Sequence, residues 1–273
     1  MRSRTPVLLL APGLVLLLAG FLIPSLAMLF SPPGVAPAEI FVRFGEMLTD
    51  PYDLRIIGRT VGIGLVVTMI CVTLGFPIAY LLARSTSRWS GVLLALAIFP
   101  LLLSNVVRTF GWLVILGANG AVGQLLTGLG LVDRAPQLLY TELAIVLGLT
   151  QLFLPLAIIS CYSAVAQVDP GLDDAARGLG ASRTRTFWTV VIPLSSPGIV
   201  VAATLVFAGS VTAYTTPYLL GGSSQRMLST QLFSYSSVTI DWASASATAL
   251  IMTLLVFLIS GLSSLVARKG AIA

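Results

Sequence analysis

The sequence predicts an all-α integral membrane protein with about six transmembrane helices, and two observations predict it. Hydrophobic residues make up 57% of the 273 and charged residues only 9%, with a mean hydropathy of +1.00. A soluble domain carries about 25% charged residues, so this chain has too few to cover a water-facing surface. The apolar residues also fall in long Leu/Val/Ile/Ala runs, and a hydrocarbon core about 30 Å thick asks for roughly 20 of them in a helix. A membrane barrel would show short segments of alternating polarity instead.

The first predicted span covers about 7–30, behind Arg2 and Arg4. A basic start before an apolar run also opens a signal peptide. This run is long for a signal core and no clean small-x-small site follows, so an uncleaved span is expected. Pro12 and Pro24 sit near its ends, where a missing amide donor costs least. Residues 31–54 change character, mixing prolines with acidic residues, and predict a water-exposed loop able to carry a short surface helix.

The second predicted span, 56–83, carries Gly58, Gly62, Gly64 and Gly75. Small residues let neighbouring backbones approach in a membrane, and Pro77 should kink the end of the span. A short loop leads to a third span, 91–116, interrupted by Pro100, Ser104, Asn105 and Arg108. The glycine-rich stretch 117–141 is placed outside the bilayer or re-entrant, and its glycines read as a turn because no strand precedes them. The fourth span, 142–164, holds Gln151 and Pro155. A polar segment, 167–196, precedes the fifth span, 197–220, and a loop, 221–243, precedes the last, 244–266. All six belong to one transmembrane domain over 1–273.

Orientation follows from the basic residues, which favour the cytoplasmic side. With the N-terminus inside, six spans return the C-terminus inside. The inner segments then hold Arg2, Arg4, Arg84, Arg88, Arg177, Arg183, Arg185, Arg268 and Lys269. On the outer side Arg43, Arg55, Arg59, Arg134 and Arg226 are offset by acidic residues. The net charge of +5 therefore serves topology and the lipid bilayer, and no nucleic-acid partner is expected.

Several chemistries are poorly supplied. The chain has no histidine, which removes the commonest general base and metal ligand together. Cys71 and Cys161 lie in apolar stretches and read as small hydrophobes, so no metal site and no catalytic residues are expected. A Gly-x4-Gly-Lys-Ser/Thr phosphate loop is absent from the sequence, so no cofactor is expected on this chain.

The polar segment 167–196 is the most informative. Asp169 can cap a helix that Pro170 opens, with Asp173 and Asp174 in its first turn, where negative charge suits the helix dipole. Gly178 and Gly180 supply a left-handed stop. Ser182 can cap a second helix holding Phe187, Trp188, Val190 and Val191, expected to end at Pro193. Ser196 and Pro197 would then cap and start the fifth span.

Here the sequence resembles the inner-membrane permeases of ABC importers. Their cytoplasmic loops carry an acidic-Ala-Ala, a following Gly and an aliphatic-x-aliphatic-Pro, matched by Asp174, Ala175, Ala176, Gly180, Val190, Ile192 and Pro193, with Leu179 before the glycine. The usual Glu is Asp174 here, and the usual Leu before the proline is Ile192. The resemblance implies the type I ABC importer permease fold and a coupling helix that docks in a groove of a separate ATPase. That partner would be present in two copies and would use the ATP. It also implies a periplasmic solute-binding protein, and a second related permease or a second copy of this chain.

A narrower resemblance, over nearly the whole chain, is to the spermidine/putrescine-type permeases. It rests on Val107-Arg-Thr-Phe-Gly-Trp and the residues after them, Gln137-Leu-Leu-Tyr-Thr, Leu154-Pro-Leu and Tyr214-Thr-Thr-Pro-Tyr-Leu-Leu-Gly-Gly. Polyamine members often carry an acidic residue just before the last of these motifs, where this chain has Ala213. The expected cargo is a small polar solute, polyamine favoured, with a phosphonate or other anion, an amino-acid-like compound or a metal ion as alternatives.

Buried polar groups in a span are costly and point to function. Asn105, Arg108 and Thr109 in the third span and Gln151 in the fourth are the candidates for a pathway. Bonding between helices, and for Arg108 snorkelling to the interface, is the preferred account of each. Tyr214 and Tyr218 suit a gate or an aromatic belt, the belt being preferred. A secondary transporter should show inverted repeats and midplane coupling residues, and an enzyme a nucleophile with its base; neither is found in the sequence. A purely structural role would leave the loop motif without a reason.

Overall fold

The computed structural model describes residues 12–118 and 120–270, with side chains to residue 263. Arg2, Arg4, the start of the first span and Asn119 lie outside the described residues, as do the side chains of Arg268 and Lys269. Every regular element described is helical. Six stretches are long and apolar enough to cross a membrane: Pro12–Phe30, Pro51–Arg84, Asn105–Gly128, Glu142–Ala166, Arg183–Thr212 and Trp242–Ser263.

In chain order the helices are α1 (Pro12–Phe30), α2 (Pro37–Met47), α3 (Pro51–Arg84), α4 (Ser90–Leu102), α5 (Asn105–Leu116) and α6 (Ala121–Gly128). There follow α7 (Glu142–Ala166), α8 (Pro170–Gly178), α9 (Arg183–Thr212), α10 (Thr215–Gly221), α11 (Leu228–Phe233) and α12 (Trp242–Gly270). The surface helix in the 31–54 loop is α2. Through Pro77, α3 continues unbroken.

The third predicted span, 91–116, is divided. Its first part, α4, tightens into a 3-10 turn at Phe99–Leu102, and the chain then extends through Leu103 and Ser104 before α5 begins. Pro100 has no amide to give to the ladder, and a 3-10 turn rarely runs beyond a few residues. The stretch here that is long and apolar enough to cross a membrane joins α5 to α6 through the turn at Gly117, whose carbonyl accepts from Gly120 N at 2.8 Å.

The described residues form two compact units. One comprises residues up to Arg55 and Gln231–Thr253. Here the start of α12 buries Ser244, Ala245, Ser246, Ala247 and Thr248, a run of small side chains that admits close neighbours. Ser246 Oγ donates to the Met28 carbonyl at 2.8 Å, and Thr248 Oγ1 lies 3.8 Å from Met47 Sδ. Arg43 of α2 donates from Nε to Ser244 Oγ at 3.0 Å and from Nη1 to Glu46 Oε2 at 2.6 Å. Ser244 in turn gives its hydroxyl to Asp241 Oδ2 at 2.5 Å and its amide to Oδ1 at 3.0 Å. Burial alone would raise the Asp241 carboxyl, but the Ser244 bonds and the Arg43 charge outweigh it and hold it below the usual range.

The other unit comprises Ile56–Thr230 and the residues from Leu254 onward. Its core is α3 against α7 and α9. Ile63, Val67 and Cys71 of α3 pack with Leu149, Ala157 and Val206, and further along Ala79 packs with Cys161, Val165, Val191 and Ala202. Small residues set the spacing. A Cβ at Gly198 of α9 would lie 2.1 Å from Ala164 Cβ on α7, so only glycine fits that crossing. Of the four α3 glycines read as packing sites, Gly64 and Gly75 face neighbours, whereas nothing lies within 4 Å of a Cβ at Gly58 or Gly62. Large apolar side chains such as Met69, Leu81, Phe257 and Leu258 are well exposed, as lipid-facing positions are.

Candidate functional site

The 167–196 segment folds as its local signals direct, up to a point. Asp169 caps α8 by accepting from Gly171 N at 2.8 Å, and Pro170 is the first helical residue. The helix closes with two bonds, Gly180 N to the Arg177 carbonyl and Ala181 N to the Ala176 carbonyl, both 3.0 Å. This paired closure needs a left-handed residue, and Gly180 supplies it at φ +89°. Gly178 is the last residue of α8 rather than part of the stop. Ser182 caps the next helix by accepting from Arg185 N at 3.2 Å.

That next helix does not end at Pro193. It runs on as α9 through Pro193 and Pro197 to Thr212, so Ser196 and Pro197 do not start a new helix. The reason lies just upstream, where Phe187–Val191 forms a π turn and Ile192 N bonds the Phe187 carbonyl. The ladder has already shifted by one residue there, and the missing proline amide falls where the pattern is broken anyway.

Loop and bundle meet through a few side chains. The Phe187 ring touches Tyr80 edge-on, Phe76 at 5.5 Å and Trp188 at 5.5 Å, while Val191 is fully buried. Arg84 Nε, at the end of α3, pairs with Asp173 Oδ2 at 2.9 Å, and both side chains are about 15% exposed (15% and 14%). The pair is a charge contact without an aligned hydrogen bond, since Arg84 Nε and Nη2 and Asp173 Oδ1 are buried with no hydrogen-bond partner among the described residues. Between loop and helix end lies a groove of about 900 Å³ lined by Arg84, Asp173, Asp174, Arg177, Phe187 and Trp188 among others.

The outer face of α8 is apolar and open. Leu172, Ala175 and Leu179 fall at the spacing of one helical stripe, and Leu179 is 91% exposed. Asp174 points outward too, while Ala176 is half-buried. Val190 and Ile192 are half-buried and Pro193 is exposed. The motif residues therefore divide, with Asp174, Ala175, Leu179 and Gly180 on the free surface and Val190 and Ile192 toward the bundle.

Of the pathway candidates, the structure joins two and adds a third. Thr109 Oγ1 donates to the Asn105 carbonyl at 2.8 Å and lies 3.3 Å from Thr216 Oγ1, which reaches Asn105 Oδ1 at 3.4 Å. Thr216, on α10, is 1% exposed; its neighbours in sequence gave no polar periodicity to single it out. Tyr214 and Tyr218 stack with ring centroids 5.1 Å apart, one turn from each other on either side of Thr216. Arg108 is half-buried, its Nε and Nη1 without a hydrogen-bond partner among the described residues. Gln151 is half-buried on α7, and no hydrogen bond links it to the Asn105 cluster among the described residues.

At the end of the same unit opposite the α8 loop, Arg59 of α3 donates from Nε to Glu142 Oε1 at 2.8 Å. Its Nη1 reaches the Ser224 and Arg226 carbonyls at 3.4 and 3.3 Å. Beside it Thr60 Oγ1 accepts from Leu228 N at 2.9 Å. Neither Arg59 nor Arg84 stood out in the sequence beyond its charge, because each partner is remote along the chain. No group of three or more Cys, Asp or Glu side chains able to hold a metal ion occurs among the described residues.

Comparison with known proteins agrees with this geometry. The chain is 29% identical over 226 residues to the spermidine/putrescine transport system permease protein PotB of Haemophilus influenzae, covering 81% of this chain and 79% of that protein. It is 32% identical over 192 residues to the molybdenum transport system permease protein ModB of Azotobacter vinelandii, covering 69% and 83%. In fold it matches a chain of the bacterial alginate ABC transporter crystallised with alginate pentasaccharide-bound periplasmic protein, at a TM-score of 0.76 and 16% identity, over 99% of this chain and 96% of that one. The family described as the binding-protein-dependent transport system inner membrane component matches residues 75–270. The chain belongs to that family, as a multi-pass permease of the bacterial inner membrane.

Proposed function

We propose that this permease imports a small polar cargo, a polyamine in the favoured reading, through work done by a separate ATPase that docks on α8. The observation that carries the docking role is the division of α8: one side is held by the Arg84–Asp173 pair, while Leu172, Ala175 and Leu179 stand open. An exposed apolar stripe on a short helix is what a groove in a partner recognises. The α8 end then faces the cytoplasm, consistent with the arginines gathered there. The ATP-binding subunits would number two, the permease would pair with a related chain or a second copy of itself, and a periplasmic solute-binding protein would deliver the cargo. This chain would itself hydrolyse nothing and bind no cofactor.

The polyamine reading is supported by the PotB relatives and by the Asn105–Thr109–Thr216 cluster beside the stacked tyrosines, whose faces suit a cation. A second reading, a small oxyanion, is favoured by Arg108, whose buried Nε and Nη1 have no hydrogen-bond partner among the described residues, and by the ModB relative. Uptake in vesicles holding the assembled transporter and its own binding protein separates them. Labelled spermidine uptake, not competed by molybdate, supports the first reading. Molybdate uptake that Arg108→Gln abolishes would replace it with the second. Copurification of an ATPase that is lost in Leu179→Asp tests the docking role, and unchanged copurification would overturn it.

A further inference from the structure

We infer that α3 is a strut between the two ends of its unit, with Arg84 and Arg59 as positioning residues that make the α8 loop and the 221–228 loop move together. This goes beyond the proposed docking role and rests on it only for the meaning of the α8 end. Arg84 pairs with Asp173 at one end of α3. At the other, Arg59 pairs with Glu142 and reaches the Ser224 and Arg226 carbonyls, and Thr60 holds Leu228 N. The two arginines are 25 residues apart on one continuous helix, about 38 Å at 1.5 Å per residue.

Two properties make the helix a strut rather than a bystander. Its middle is locked, with Val67 and Cys71 fully buried against the bundle, so a shift at one end is carried as a rigid displacement. Its cytoplasmic clasp is also incomplete. Arg84 Nε and Asp173 Oδ2 lie 2.9 Å apart as an ion pair, yet Arg84 Nε, Arg84 Nη2 and Asp173 Oδ1 are all buried without a hydrogen-bond partner among the described residues. Arginine and carboxylate favour a two-point fork, so a small rotation of α8 closes a second contact. That forked contact would be the second of the two arrangements that a coupling element requires.

Amide hydrogen exchange on the purified chain in lipid nanodiscs tests this with no ATPase or ligand present. Arg84→Gln should raise exchange of the 221–228 amides, at the far end, by about threefold or more, and Arg59→Gln should do the same over 170–182. The charge swap Arg84→Asp with Asp173→Arg should return the far end to wild-type exchange. Changes confined to the mutated end, or a swap that leaves the far end unprotected, would overturn the proposal. Should Arg84→Gln fail to insert, Asp173→Asn is judged by the same criterion. In the assembled transporter Arg59→Gln should cut binding-protein-stimulated ATP hydrolysis about tenfold, a change of one power of ten in coupling, with the ATPase still bound. Unchanged stimulation would also overturn it. If the wild-type chain holds no ATPase, the docking role fails, and the exchange result still decides the strut.

Discussion

The Phe187 ring meets the Tyr80 ring edge-on, with centroids 5.0 Å apart and planes at 67°. Edge-to-face is a favoured aromatic geometry, stabilising by about 0.5–1.5 kcal/mol beyond the area buried. It joins the first turns of α9 to the last turns of α3, so the loop that carries α8 is seated by a ring as well as by a charge.

Replacing Phe187 with alanine therefore removes the apolar half of that seat. A fully buried Phe→Ala costs about 3–5 kcal/mol; Phe187 is half-buried, so a loss of about 2 kcal/mol is expected. Thermal unfolding in detergent should shift down by several degrees. Phe187→Leu, which keeps an apolar side chain of smaller volume and no ring edge, should recover part of the loss.

Gly180 holds φ +89° at the close of α8. A side chain there costs about 1–2 kcal/mol for the left-handed backbone, and nothing crowds the position, since no atom lies within 4 Å of a built Cβ. Gly180→Asp should thus leave the permease in the membrane at normal amounts but turn α8 away from its partner. Transport per molecule, measured with immunoblotted membrane levels, should fall at least about tenfold, the equivalent of 1.4 kcal/mol.

Two glycine substitutions should behave oppositely. Gly198→Val would drive its side chain into Ala164, whose Cβ already lies 2.1 Å from a built Cβ, and should cost about 3 kcal/mol or more through overpacking. Gly62→Ala meets nothing and should stabilise α3 by about 0.5–1 kcal/mol. Expression and melting temperature of the two variants, measured side by side, check both directions.

Asp241 gives a pH signature. Its carboxyl is held below the ordinary range, so the unfolded chain takes up the proton first as pH falls. The stability it contributes is complete above its unfolded value of about 3.9 and is lost as pH drops through the lower folded value. Asp241→Asn should therefore melt below wild type at pH 7, and the gap should narrow progressively as pH falls below about 3.9. A gap that persists unchanged at acid pH would show that the charge is not what Ser244 and Arg43 hold.

What was legible in the sequence was what depends on neighbours along the chain. A span announces itself by 20 apolar residues in a row. The caps at Asp169 and Ser182 and the stop at Gly180 act within five residues, so the α8 loop is legible from local signals. Pro193 defeated the same local logic, because a π turn upstream took up its missing amide. The break at Leu103–Ser104 falls where Pro100, Ser104 and Asn105 mark an interruption, but composition does not say that the helices on its two sides part company. Arg59 and Glu142 are separated by 83 positions, and Thr216 finds Thr109 across 107. No spacing rule reaches that far.

The π turn at Phe187–Val191 has a consequence for chain length. Such a turn holds one residue more than an α turn, so this stretch stores a residue of slack. Deleting one residue between 187 and 191 would let the helix rewind as an ordinary α-helix, without a break. Everything upstream, Leu179 included, would keep nearly its present facing around the axis of α9, because four α residues turn through about the same angle as five in a π turn. The turn thus absorbs a difference in length: a codon lost here would spare both the helix and the surface it presents, whereas one lost from the α-helical turns beyond it would rotate that surface by about 100°.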